Sequence, residues 1–327
     1  MMGMGDSGVG AGLRATFVIV LAVFGTIATI ATVAAFFGDI WWGFDLAANY
    51  RWHLMWFLLL VSILYALSAR GITIIVFLGA AIVNGFLIAP LWMGNQPPAT
   101  GEDGVLVIHA DLGGGVADME ATLRWLFNTE GDVIFLAGIT RDRALPLVAD
   151  GSPYTMLAFP PSGSTGIVIL GTEQWNVTTT AAEDGQIVYR VSVSSGSQVL
   201  DIVTAVGPMG TSGERAEALS ARLDAIGTSI DETGNPVAVI GNIGATSWTK
   251  GLRSLMSTAN LRNAAEGSGY LATSPVSDFP VIGGWLGLPI DVVLMDSTLT
   301  PLELKTGPDL GANHLPITVV IGPGFEN

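Results

Sequence analysis

Residues Gly104-Val-Leu-Val-Ile-His-Ala-Asp-Leu-Gly-Gly-Gly-Val-Ala-Asp118 carry the first clear fold signal of this chain. Gly104 to His109 is a short apolar run bounded by turn-forming residues, the pattern of a strand covered on both faces. Gly113, Gly114 and Gly115 then read as a tight strand-to-helix turn. They lack the Gly-Lys-Ser/Thr that would make a phosphate-binding P-loop. Beyond them, from Asp118 to Asn128, Met119, Leu123, Leu126 and Phe127 recur at helical spacing.

The same alternation continues downstream. Asp132–Leu136 reads as a second buried strand. Tyr154–Phe159, Gly166–Leu170, Trp175–Thr180, Gln186–Val193 and Val199–Val206 form a strand-rich stretch, with strict alternation at Ile187, Tyr189, Val191 and Val193. A long helix follows, its apolar face made by Leu219, Leu223, Ile226 and Ile230. Its polar face is expected to carry Glu214, Arg215, Glu217, Arg222 and Asp224. Val237–Ile240, Ile290–Met295 and Ile317–Ile321 read as further strands, and Thr249–Ala259 as a helix. A β meander flanked by βα units predicts a two-sheet sandwich with outer helices.

Upstream the composition changes. The full chain has 327 residues, mean hydropathy +0.56 and only 13% charged residues, against about 25% in an ordinary soluble domain. Residues 1–100 hold three basic and three acidic side chains, so the net charge of −15 lies entirely beyond them. An acidic surplus argues against nucleic acid as a partner. There are no cysteines, which excludes disulfides, thiolate metal sites and cysteine nucleophiles. Residues 94–103, polar and rich in Pro and Gly, read as a linker. Before it lie three charge-poor apolar segments, at about 15–37, 52–69 and 71–93, which predict three transmembrane helices within residues 1–93. The first is too long for the apolar core of a signal peptide. Trp41, Trp42, Trp52, Trp56 and Trp92 lie near the segment ends, where interfacial aromatics concentrate, and are candidate membrane contacts. Asn84, near the middle of the third segment, needs a hydrogen-bond partner, either inside the bundle or on another membrane subunit. Arg14 and Arg70 fall on one side and Arg51 on the other. The excess of positive charge puts the N-terminus in the cytoplasm of a bacterial inner membrane and residues 104–327 outside it.

Five segments of the acidic part, in order, resemble the endonuclease/exonuclease/phosphatase family. They are Val107–Asp118, Asp132–Gly138, Val237–Trp248, Leu288–Leu294 and Pro308–Pro316. They match its first strand and loop, its second strand, its "GDFN" turn, its "IDHVL" strand and its terminal "SDH" segment. Together they cover nearly all of residues 104–322. The three apolar segments ahead of them resemble a membrane-anchored bacterial branch. The resemblance implies a four-layer αββα sandwich behind a three-helix transmembrane bundle. For the family it implies a divalent metal and hydrolysis of phosphate esters.

The positions the resemblance marks as functional are mostly altered. Asp111 stands where the family has an Asn, and Gly138 where it has the metal-binding Glu. Asn242 and Gly244 replace the Asp and Asn of the "GDFN" turn, and Asn313 replaces the Asp before the terminal His. Asp291 and His314 stay, while the mid-domain His falls near Val206. Loss of one polarising group commonly costs about 10² to 10³ in rate, and loss of several that act together leaves little. The expectation is a pseudoenzyme without metal or cofactor. It would be an accessory subunit on the outer face of a larger membrane complex, energy-transducing (respiratory or photosynthetic) among the kinds left open. Its expected partners are membrane lipids and other membrane subunits. The competing expectation is a Mg²⁺-dependent phosphoesterase, weak or altered, acting on a lipid or sugar phosphate. His109, Asp111 and His314 are also weighed as a new transition-metal site, and Ser162, Ser164 and Thr165 with His314 as a hydrolase set. No nucleophile-elbow motif supports the latter.

Overall fold

The structure is a computed structural model that describes residues 6–69, 71–94, 104–114, 117–181, 187–195, 198–275, 279 and 281–323. Residues 95–103 of the linker and Gly115 lie outside the described residues. The chain divides into two compact units at Pro90.

The first unit is helical: α1 (Asp6–Ala34), α2 (Trp42–Ala48), α3 (Arg51–Ser68) and α4 (Thr73–Ile88), with α5 (Pro90–Met93) at its boundary. α1, α3 and α4 pack through Leu21, Ala28, Leu58, Val61, Phe77, Ala80 and Ala81. Gly25 lets the helices approach, because a Cβ there would lie 2.5 Å from the Phe77 ring. The outer faces stay apolar, with Phe24, Ile30, Leu60, Ile63, Ile75 and Ile82 exposed. Residues Gly12–Ala34 and Arg51–Ser68 are long and apolar enough to cross a membrane. The segment 71–93 is not one helix. α4 has 16 residues, about 24 Å at 1.5 Å per residue, and a new short helix starts at Pro90, whose ring nitrogen has no hydrogen to donate. α1 also starts earlier and stops earlier than the apolar run, and α2 is an unexpected short helix.

The bundle interior is polar at one level. Arg51 is fully buried; its Nη1 donates to Asn84 Oδ1 at 3.2 Å and its Nη2 to Ala35 O at 3.5 Å. Asn84 Nδ2 donates to Thr32 Oγ1 (2.8 Å) and Ala80 O (3.0 Å). The Arg51 guanidinium also lies 4.6 Å over the Phe36 ring. Arg14 donates to Ser68 O through Nε and Nη2, which puts a cation at the negative end of the α3 dipole.

The second unit runs β1 (Val105–Asp111), α6 (Met119–Thr129), β2 (Val133–Thr140), α7 (Arg141–Ala144), a 3₁₀ turn (Leu145–Val148), β3 (Thr155–Ala158), β4 (Thr165–Gly171) and β5 (Asn176–Ala181). It continues through β6 (Ile187–Ser195), β7 (Gln198–Thr204), α8 (Gly213–Asp231), β8 (Val237–Asn242), α9 (Lys250–Thr258) and β9 (Leu261–Asn263). α10 (Gly283–Leu286), β10 (Asp291–Asp296), β11 (Leu299–Thr306) and β12 (Ile317–Pro323) complete it. The strands form two six-stranded sheets, β11-β12-β1-β2-β4-β3 and β5-β6-β7-β8-β10-β9.

The two sheets pack face to face. Val107, Phe135 and Ile169 of the first meet Val191, Ile202, Ile240 and Val293 of the second. The alternate residues Ile108, Ile134 and Leu136 face the opposite way and pack with Leu126 of α6. Both faces of β1 and β2 are therefore covered, which is why these strands read as continuous apolar runs. On the outer face of the second sheet, Val239 and Leu294 pack with Ile226 of α8 and Leu252 of α9. The architecture is an α/β sandwich with helices outside each sheet. α6 begins at Asp118, whose Oδ1 accepts from Glu120 N and Ala121 N at 3.0 Å each, as an N-cap does.

One expectation on α8 is corrected. Arg222 is not on the solvated face but fully buried, and its Nη1 donates to Ile243 O at 2.7 Å. Gly207 makes room for it, since a Cβ there would lie 1.8 Å from Arg222 Nη2. The position was readable, because Arg222 lies three residues after Leu219 and four before Ile226, inside the apolar stripe.

Candidate functional site

The site lies where the two sheets meet at their ends. Asp111 closes β1 in the first sheet. Asn242 closes β8 and Asp291 opens β10 in the second, and these two are register partners in the antiparallel β8–β10 pair. His314 comes from the loop before β12, itself paired to β1. Asn242 Nδ2 donates across the sheets to Asp111 Oδ2 at 2.9 Å. Its contact with His314 Nε2 is 3.4 Å. His314 Nδ1 lies 2.6 Å from Asp291 Oδ2, and Asp291 N donates to Thr273 Oγ1 at 3.0 Å. Asp111, Asn242, Asp291 and His314, all singled out in the sequence, are therefore brought into one cluster.

His109 joins them from below. It is wholly buried, with Nδ1 3.7 Å from Asp291 Oδ1. Among the described residues neither of its ring nitrogens has a hydrogen-bond partner. Burial lowers its pKa, against the opposing charges of Asp291 and Asp111. His314 goes the other way. Burial alone would lower its pKa too, but the hydrogen bond and charge of Asp291, with the charge of Asp111, outweigh it and raise the pKa. His314 and Asp291 form an imidazole–carboxylate dyad beside a buried imidazole whose charged form burial disfavours.

Two positions of the resemblance hold no side chain. Gly138 has φ +69°, and a Cβ built on it would lie 2.5 Å from Gly113 N and 2.6 Å from Gly113 Cα. The loop after β1 thus fills the space that the family's Glu would need. That loop is held there by Leu112 N donating to Ala137 O at 2.9 Å and Gly113 N donating to Asp111 Oδ1 at 3.0 Å. Gly244 N donates to Asn242 Oδ1 at 3.2 Å. Asn313 packs its amide over Gly114, where a Cβ would lie 2.3 Å from Asn313 Nδ2.

These residues do not fit a hard divalent cation, which takes six or more oxygen ligands at short range. Each carboxylate oxygen of Asp111 already accepts a hydrogen bond and Asp291 Oδ2 is engaged by His314, which leaves Asp291 Oδ1 as a single carboxylate oxygen without a hydrogen-bond partner among the described residues. Among the described residues, no three or more His, Asp or Glu side chains are grouped as metal ligands. That includes the His109, Asp111 and His314 set. Ser162, Ser164 and Thr165 sit on an exposed turn at the start of β4. Of the candidate membrane contacts, Trp41, Trp56 and Trp92 are exposed and Trp42 is half-buried. Trp52 and Asn84 are instead buried inside their unit, Asn84 with its hydrogen bonds satisfied within the bundle. The contact of His109 with Asp291 is the feature of the site that the sequence reading did not anticipate.

The fold is that of the endonuclease/exonuclease/phosphatase proteins. A Bacteroides vulgatus endonuclease/exonuclease/phosphatase matches with TM-score 0.54 and 12% identity over 68% of this chain and all of its own. A Neisseria 3′ phosphatase solved with a product DNA hairpin matches with TM-score 0.52 and 13% identity, over 66% of this chain and 98% of its own. Truncated Caenorhabditis elegans TDP2 matches with TM-score 0.52 and 14% identity, over 66% and 97%. No family profile and no curated protein matches the sequence. At these identities the likeness carries the fold and leaves the chemistry to the site.

Proposed function

We propose that this chain is a membrane-anchored pseudoenzyme, an accessory subunit whose α/β unit keeps the phosphoesterase fold without its hydrolytic chemistry. The observation that carries this reading is Gly138: its left-handed backbone and the Gly113 backbone 2.5 Å from its Cβ position leave no place for a metal-binding carboxylate. Asp111 supports it, because a carboxylate where the family has an amide repels a phosphate. The apolar helices act as a three-helix anchor in a bacterial inner membrane, N-terminus inside and the acidic unit outside. The host is a larger membrane complex, with an energy-transducing assembly as the first place to look. The test is gentle extraction from the native membrane, sizing, and identification of what co-migrates. A defined complex supports the reading, and a lone monomer argues against it.

One observation favours the enzymatic reading, the retained Asp291–His314 dyad at 2.6 Å. An assay on bis(p-nitrophenyl) phosphate and on lipid and sugar phosphates, with Mg²⁺ or Mn²⁺, decides between them. Turnover abolished in His314→Ala would overturn the pseudoenzyme.

A further inference from the structure

Outside the site, the exposed large apolar residues described in the α/β unit concentrate in one stretch of the chain. Phe279, Val281, Ile282 and Trp285 are 51%, 95%, 47% and 45% exposed within seven positions. Its other exposed large apolar residues, such as Phe127, Leu145 and Phe159, are scattered along the chain and need no explanation. From Phe279 to Ile290 the sequence carries no charge, in a part of the chain that holds the whole −15. Accordingly, we propose that Phe279, Val281, Ile282 and Trp285 seat in the interfacial layer of the bilayer that anchors the chain. This rests on the membrane-anchored reading above.

Three observations favour lipid as the occupant. The first is composition: Trp and Phe beside aliphatic side chains, without charge, suit the headgroup–acyl boundary. The second is charge. An acidic unit is repelled by anionic headgroups, so its contact with a bilayer has to come from apolar insertion. The third is position within the α/β unit. Leu91, near the end of the apolar segment 71–93, accepts from Gly269 N at 2.7 Å. The next residue of that turn, Tyr270, donates its hydroxyl to Gly287 O at 2.8 Å. Gly287 is the residue that ends α10. α10, which bears Trp285, is therefore tied through one turn to Leu91, where the α/β unit begins in the sequence.

The absence of cysteine makes the test direct. Val281→Cys, Ile30→Cys and Ser162→Cys in the full chain each carry one environment-sensitive fluorophore. All three sites are exposed, so the labels disturb no core. The protein is reconstituted in phosphatidylcholine nanodiscs containing a lipid-borne quencher. The expected result is a blue shift and strong quenching at positions 281 and 30, with neither at 162. Quenching at 30 but an aqueous signal at 281 overturns the proposal and leaves the anchor standing. Aqueous signals at both positions overturn the anchor itself. A label at 281 that is aqueous in lipid alone but shielded in native membranes assigns the surface to a protein partner, and also overturns the proposal.

Discussion

Putting the acidic residue back should break the fold before it restores chemistry. Gly138→Glu supplies the family's metal carboxylate, and Gly138→Ala supplies only its first carbon. With φ at +69°, any L side chain there costs about 1–2 kcal/mol of backbone strain. The new Cβ also meets the Gly113 backbone at 2.5 and 2.6 Å. Moving a hydrogen-bonded loop to relieve that overlap adds about 1–3 kcal/mol, as overpacking does. Gly138→Ala should thus lose about 2–5 kcal/mol in all, a large part of an ordinary domain's stability. Glu adds a second carboxylate, since its Cβ starts 3.2 Å from Asp111 Oδ1, and should be the worse of the two. The assay is thermal unfolding of the full chain in detergent, followed by near-UV circular dichroism, where the expected drop is about 4–20 °C for a unit of this size. Melting of both variants within a degree of the parent would refute the reasoning. So would Mg²⁺-dependent turnover by Gly138→Glu, and that result would return the fold to the enzymes.

Three further outcomes are expected. Asn242→Asp sets two carboxylates against each other across the 2.9 Å contact, a repulsion of up to about 4 kcal/mol at 4 Å and an effective dielectric of 20. Adding Asp111→Asn should recover most of it, and strict additivity in a denaturation double-mutant cycle would count against the bond. Asp291→Asn removes the hydrogen bond and charge that outweigh burial at His314, so its titration should fall from above the ordinary value to below it. The chain has three histidines, so histidine-labelled NMR can read it. Because the folded pKa is raised, the pair's contribution is fully present below about pH 6.5 and lost as pH rises through the folded value. The variant's stability deficit should therefore be larger in mild acid than in base. In the helical unit, Asn84→Leu leaves the buried Arg51 without the amide acceptor 3.2 Å away, at a cost of about 1–3 kcal/mol. Titration of the bundle with a denaturing detergent should show earlier unfolding, and an unchanged midpoint would mean the amide contributes nothing.

Most strands and the long helices were legible because burial on both faces writes itself as unbroken apolar runs, as in Val105–Ile108 and Val237–Ile240. β11 was not, because it lies at a sheet edge. Edge strands tolerate proline, and Pro301 sits at a bulge in its pairing with β12. α10 and β9 are too short to show any period. The break in the third apolar segment was written in Pro90, but composition alone reads straight through a single proline. In the site, Asp111, Asn242, Asp291 and His314 were singled out by the family resemblance of five segments in order. What sequence could not show is that Gly138 is closed off by backbone, since that depends on where the loop after β1 runs. His109 was weighed only as a strand-end ligand with Asp111 and His314, and its approach to Asp291 comes from the packing of one sheet on the other.

On the pseudoenzyme reading, the contact between Asp111 and Asn242 accounts for a site that keeps its shape without its chemistry. The resemblance places an amide on β1 and a carboxylate on β8. This chain has the carboxylate on β1 and the amide on β8, and they are hydrogen-bonded at 2.9 Å. An Asn–Asp bond works in either direction, so the exchange preserves the link between the two sheets while moving the negative charge to the other one. Its consequence for a ligand is not symmetric. The amide that would donate to a phosphate now donates to Asp111, and the carboxylate that would orient a water is pinned by Asn242 and by Gly113 N at 3.0 Å. Asp111 and Asn242, whose donors and acceptors satisfy one another and the neighbouring backbone, have little left to offer a substrate or a metal. On the pseudoenzyme reading proposed above, the cluster is kept for its part in the fold, and selection for packing alone would suffice to keep it.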